Sequence, residues 1–165
     1  MEHRAGYVNI IGRPNVGKST LLNALLGEKL VIVTPKAQTT RHRILGILNG
    51  EDHQLILSDT PGILEPVYKL QESMMHAVDE ALRDADVLLV MVELGETPEK
   101  SEELLRRARR FTGSTLVLIN KVDKGDEEQL NVAFDQWHAA FPEAVVLPIS
   151  ALRCRVGEGL PLLFQ

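Results

Sequence analysis

A three-layer α/β domain is predicted from the sequence, built on a six-stranded, mostly parallel sheet with one antiparallel edge strand. Three features carry that expectation. Short apolar runs suited to buried strands alternate with amphipathic stretches suited to helices, the pattern of a parallel sheet covered on both faces. The first run leads through a glycine loop straight into a helix. One Asn-Gly turn joins two runs too closely for a crossover, so those two must pair antiparallel.

Tyr7–Ile11 is the first strand, and Gly12, Arg13, Pro14, Asn15, Val16, Gly17, Lys18, Ser19 and Thr20 come directly after it. The spacing is G-x-x-x-x-G-K-[ST], in the strand–loop–helix context a phosphate-binding loop needs. Gly12 and Gly17 let the backbone approach a ligand with no Cβ in the way. The loop N–H groups then converge on α- and β-phosphates, helped by the positive end of the helix Leu21–Leu26. Lys18 is placed to reach the β- and γ-phosphates, and the Ser19 hydroxyl to become a magnesium ligand.

The stretch Leu30–Arg41 is polar at its centre, broken by Pro35 and without a clean period, so a mobile loop is expected. Ile44–Leu48 and Gln54–Ser58 are the hairpin strands, joined by Asn49-Gly50-Glu51-Asp52. Asp59-Thr60-Pro61-Gly62 comes directly after, at the carboxyl edge of the sheet. There the Asp59 carboxylate can hold magnesium through a water, and the Gly62 N–H can meet a γ-phosphate. The spacing D-x-x-G means nothing alone, since chance supplies it in about every other chain of this size. Its position gives it value.

Leu70, Met74, Ala77, Val78 and Ala81 mark a helix, and Val87–Val92 a strand. Leu104, Leu105, Ala108 and Phe111 mark the next helix, and Thr115–Ile119 the next strand. Leu130, Phe134, Trp137 and Phe141 form a helical stripe read as core, and Val145–Pro148 is the last strand. Asn120-Lys121-Val122-Asp123 closes the fifth strand. The Asp123 carboxylate can accept from N1–H and the 2-amino group of guanine, whereas adenine offers neither donor and leaves it unpaired. Asn120 can bond the other edge of the base, and the Lys121 stem can pack over its face. Ser150, Ala151 and Leu152 come after the last strand, where the Ala151 N–H would face guanine O6. Together with the phosphate loop, and in this order, the coincidence by chance is roughly one in ten thousand. Guanine nucleotide is the expected ligand.

At 165 residues one domain with a real core is expected, and no apolar run approaches the length of a membrane span. The first residues lack the apolar region of a signal peptide. Cys154 is the one cysteine, which excludes an internal disulfide and implies an intracellular compartment. A net charge of −5 argues against strong RNA binding by this domain alone. The five histidines show no metal-ligand spacing and read as solvated. Gly157-Glu158-Gly159 and Leu160-Pro161 look like the entrance to one more helix, so residues 1–165 are expected to be one domain of a longer protein, cut off within that helix.

These motifs resemble those of P-loop GTPases of the translation-factor class, with a Ras-like fold. Gly12–Ser19 together with Gln38-Thr39-Thr40-Arg41-His42-Arg43 is similar to the Era family of bacterial GTPases. Related families carry Asp after Thr-Arg, where His42 stands here. The resemblance implies that Thr40 is the switch threonine, reaching magnesium and the γ-phosphate in the GTP state. It implies GTP/GDP as ligand, Mg2+ as cofactor, and a GTP hydrolase that is slow on its own. It also implies a parent protein that binds 16S rRNA and the 30S ribosomal subunit through a C-terminal KH domain lacking from residues 1–165. A cytoplasmic monomer with peripheral contact at the inner face of the cell membrane completes the implied picture.

One departure from the Ras pattern is chemical: the residue after D-x-x-G is Ile63, where a Gln would orient the attacking water. Two readings of Asn15 stand. It is a loop residue tolerant of unusual dihedrals, or, as in similar GTPases, it helps seat K+ between the phosphates. Arg106, Arg107, Arg109 and Arg110 suggest an RNA patch, but Glu102 and Glu103 precede the first two by four residues and favour a solvated, ion-paired helix face. Two rivals to the hydrolysing switch are an ATP-using kinase, disfavoured by Asn120–Asp123, and a non-catalytic GTP-binding scaffold, which Ile63 would suit.

Overall fold

The computed structural model describes residues 4–27 and 41–153. The elements run β1 (Arg4–Gly12), α1 (Lys18–Leu26), β2 (Ile44–Asn49), β3 (His53–Asp59), α2 (Lys69–Asp84), β4 (Val87–Glu93), α3 (Glu102–Ala108), β5 (Ser114–Asn120), α4 (Glu127–Ala140) and β6 (Val145–Pro148). They form one sheet in the order β2-β3-β1-β4-β5-β6, with β2 antiparallel to β3 and the other pairs parallel. The expected architecture is present, antiparallel edge strand included. The strand order reverses beside β1, and ligands of open α/β sheets bind at such a point, beyond the carboxyl ends of the strands.

Each central strand serves two cores. Along β1, Ile10 joins Leu21, Leu22, Leu25 and Leu57 on the α1 side, and Ile11 joins Met74, Val78, Leu104 and Trp137 on the other. Strand β4 alternates likewise, with Leu89 and Met91 facing α1 and Leu88, Val90 and Val92 facing away. Burial on both faces makes these strands read as continuous apolar runs. Each fully covered Leu or Ile contributes about 1.5–3 kcal/mol.

Two helical stripes differ from expectation. Leu70 and Phe134 are exposed, whereas Met74, Val78, Ala81 and Trp137 are fully covered. Leu70 sits in the first turn of α2, before that helix reaches the sheet. Phe134 stacks on His138 one turn further along α4, leaving Trp137 to face the core. Helix α4 starts with a capping box, in which Gln129 N donates to Asp126 Oδ1 at 2.8 Å and Asp126 N to Gln129 Oε1 at 3.1 Å.

The arginine cluster also differs. Glu103 pairs with both Arg106 and Arg107, and Arg107 is buried, with its guanidinium on Asp79 of α2 as well. Arg107 is thus a tie between two helices, whereas Arg106, Arg109 and Arg110 are exposed.

A polar seam crosses the sheet on the α2 side. Asn9 and Ser58, register partners on β1 and β3, are both fully buried. Asn9 Nδ2 donates to Ala81 O of α2. Arg43 reaches in from the chain before β2, donating to Ser58 Oγ at 2.7 Å and Asn9 Oδ1 at 3.4 Å, and pairs with Asp84 at 2.6 Å. Its guanidinium lies 5.9 Å from the centre of the Tyr7 ring. Among the described residues no helix is long and apolar enough to cross a membrane.

Candidate functional site

The loop after β1 turns sharply enough to start α1 at Lys18, because Gly17 adopts φ 109 as its N-cap. A side chain is strained at that dihedral, and a Cβ would also strike Asn120 Nδ2. The helix therefore points its N-terminus back at the loop, with its first N–H groups outside the helical ladder. Asn15, at φ 63, is one of two non-glycine residues with positive φ among those described. Val16 is core, Arg13 is exposed, and Thr20 is partly covered in the first turn of α1.

Lys18 is buried, and its Nζ donates to Gly12 O at 3.2 Å and Arg13 O at 2.9 Å, two carbonyls of its own loop. Loss of water lowers its pKa to about 8, against the opposing pull of Asp59 and Glu96. Ser19 Oγ donates to Asp59 Oδ2 at 2.6 Å, so α1 and β3 bring a hydroxyl and a carboxylate together beside the lysine. Hard oxygen donors of this kind suit Mg2+.

The Asp59–Gly62 turn is locked to β1. Thr60 Oγ1 donates to Ile10 O at 2.7 Å, and Ile63 N donates to Gly12 O at 2.8 Å. Pro61 and Gly62 are buried, and a Cβ on Gly62 would lie 2.7 Å from Pro14. Only glycine admits that approach of the two loops. Ile63, 2% exposed, packs into the core with Met74 and Val90. Its side chain belongs to the fold.

Asn120 is the keystone of the opposite wall. Its Nδ2 donates to Val16 O at 2.7 Å, and its Oδ1 accepts from Ala151 N at 2.9 Å. The side chain thus joins the phosphate loop to the loop after β6, and the Ala151 N–H meets Asn120 rather than standing open toward a ligand. Lys121, also at φ 63, donates from Nζ to Asn15 O at 2.8 Å and pairs with Glu93. Asp123 accepts from Ser150 Oγ at 2.6 Å, and that bond is the main reason its carboxyl is held below the usual range. Leu152 stands at the rim, largely exposed.

The structure therefore gathers four segments, Gly12–Thr20, Asp59–Ile63, Asn120–Asp123 and Ser150–Leu152, around the carboxyl ends of β1, β3, β5 and β6. Thr40, with residues 28–39, lies outside the described residues, as do His3, Cys154 and the helix entrance expected after Gly157. Glu93 and Glu96 join the site without having been singled out in the sequence. Glu96 is buried, accepts from Ser101 Oγ at 2.7 Å and Glu93 N at 3.1 Å, and burial raises its carboxyl above the usual range. Trp137 Nε1 donates to its carbonyl at 3.1 Å. No local spacing marks these glutamates; the one signal is that β4 and β5 end in step.

The 50S ribosome-binding GTPase family matches residues 7–121. GTPase Era of Syntrophus aciditrophicus (strain SB) is 43% identical over 163 residues, covering 98% of this chain and 52% of that protein. GTPase ERA1, chloroplastic, of Zea mays is 43% identical over 163 residues, covering 96% and 38%. Era solved with MgGDPNP and nucleotides 1506–1542 of 16S ribosomal RNA superposes with a TM-score of 0.88 at 40% identity, over 99% of this chain and 56% of that one. An Aquifex aeolicus Era variant bound to GDP.AlF4- gives a TM-score of 0.87 at 41% identity, with the same coverage of 99% and 56%. The chain spans about half the length of the bacterial relatives it matches. The chain belongs to the 50S ribosome-binding GTPase family as an Era-like G domain.

Proposed function

We propose that this domain binds GTP and GDP and hydrolyses GTP, as the switch of a small-subunit ribosome assembly GTPase. The observation that carries the reading is the Asn120 clamp. One side chain holds the phosphate loop against the loop of Ser150 and Ala151, leaving Asp123, fixed by Ser150, as the acceptor for the guanine edge. The phosphates would lie over Gly12–Thr20, where Lys18 exchanges two loop carbonyls for phosphate oxygens. Mg2+ would be held by Ser19, by Asp59 and, in the GTP state, by Thr40, and it neutralises charge on the phosphate oxygens. Water attacks the γ-phosphorus, the bond to the β–γ bridging oxygen breaks, and GDP leaves as a phosphate ion forms. With Ile63 buried and giving no polar group, K+ seated by Asn15 would supply positive charge at the phosphates.

In the whole protein the RNA contacts fall to a KH domain beyond this segment, binding 16S rRNA on the 30S subunit. The support is a relative about twice as long, solved with a 16S rRNA fragment. The parent protein would act as a cytoplasmic monomer, in contact with the inner face of the cell membrane.

Nucleotide competition and single-turnover hydrolysis test the reading. GTP should displace labelled GDP where ATP does not, and Asp123→Asn should shift preference toward xanthosine triphosphate by a few kcal/mol. An unchanged ratio of GTP to xanthosine triphosphate affinity refutes the base pocket, and binding without turnover in magnesium and potassium would leave a scaffold.

A further inference from the structure

Glu93 ends β4 directly opposite Asn120, the last residue of β5. Just beyond Asn120 the chain turns into left-handed backbone at Lys121. A lysine keeps that conformation only when its surroundings impose it. Here the side chain supplies the hold. Lys121 Nζ donates to Asn15 O at 2.8 Å and pairs with Glu93 Oε2. The stem is thus stretched from the base-reading loop to the phosphate loop, with its far end fixed by a carboxylate. Glu93 is braced in turn, because its N–H donates to Glu96 Oε2 at 3.1 Å and Glu96 is held by Ser101.

We propose that Glu93 is a positioning residue for the bound nucleotide. Its carboxylate fixes the Lys121 ammonium, and with it the stem against which the guanine ring rests, so that nucleotide release is slowed. The inference rests on the guanine pocket proposed above. Glu93 acts through Lys121. A neutral acceptor would not replace it, since the ammonium is a donor whose stronger bond is to a charged oxygen. Side-chain exposures of 27% for Lys121 and 42% for Glu93 leave the pair partly screened, so the effect is modest.

The test is the release rate of N-methylanthraniloyl-GDP, and of its inosine counterpart, from the unsubstituted chain, E93Q, Lys121→Ala and the double variant. E93Q should accelerate release about two- to fivefold. The guanosine-to-inosine ratio should stay as in the unsubstituted chain, because Glu93 does not read the 2-amino group. In the Lys121→Ala background E93Q should add nothing, as a double-mutant cycle requires of a residue acting through one partner. Release from E93Q at the unsubstituted rate, a changed base ratio, or the same acceleration on top of Lys121→Ala overturns the proposal while the pocket stands. Failure of the unsubstituted chain to bind either nucleotide overturns both.

Discussion

Burial of Lys18, the residue proposed to meet the phosphates, should make nucleotide affinity depend on pH over a window set by its pKa. Its pKa of about 8 in the protein is the result of lost hydration, which outweighs the opposing charges of Asp59 and Glu96. Phosphate binding needs the ammonium, so nucleotide favours the protonated form, and above the free pKa each binding event must take up a proton. With that pKa, the protonated fraction falls from about 0.76 at pH 7.5 to about 0.24 at pH 8.5. GDP should therefore bind about threefold more weakly at the higher pH, a loss of about 0.7 kcal/mol. Stopping there keeps the guanine N1 proton in place. Titration calorimetry in two buffers of unlike ionisation enthalpy reads the proton directly. Uptake should rise from about 0.2 to about 0.8 protons per GDP across the window. Lys18→Arg keeps the charge throughout and should flatten the profile. Equal affinity and no added proton uptake at the two pH values would refute the argument that burial tunes this lysine.

The remaining expectations concern catalysis and the fold. Hydrolysis should run faster in potassium than in sodium at equal ionic strength. Asn15→Gly, which keeps the left-handed backbone, should remove the difference with affinity little changed; equal rates in both salts for the unsubstituted domain would dismiss K+. Arg107→Met should cost about 2 kcal/mol in urea unfolding, because it strips the cation from the half-buried Asp79 and leaves Glu103 with Arg106 alone. The exposed Arg109→Met should stay within about 0.5 kcal/mol, and equal losses would contradict the role of Arg107 as a tie between α2 and α3.

The sheet was legible because its central strands are buried on both faces and therefore print as Val, Ile and Leu runs. The meeting of the four motif segments at one sheet edge was legible because each lies at a strand end in fixed local spacing. What escaped depends on partners distant in sequence. Arg107 has Glu103 at helical spacing, which describes a surface pair equally well, and only Asp79, 28 residues away, makes it internal. Glu93 gains meaning from its register with Asn120. Asn120 is expected as a base contact, and no local spacing shows that its amide also ties Val16 O to Ala151 N across the site. Phe134 shows the limit of counting by fours, since a stripe of that width spills past the face that the sheet covers.

The polar seam has a mechanical corollary. Helix α2 is moored in its last turn, by Asn9 on Ala81 O and Arg43 on Asp84, to groups that the sheet itself holds. Its opening turn is tied locally, where Gln71 Oε1 accepts from Val67 N at 2.8 Å, and Val67, Tyr68 and Leu70 are open to solvent. From Met74 onward α2 is also held by the core and by Arg107 on Asp79, so the first turn is its least restrained part. A pull on the turn at Gly62 would be taken up first in the irregular, mostly exposed stretch from Leu64 to Tyr68. The surface that reports the nucleotide would then be the opening turn of α2 and its exposed apolar side chains.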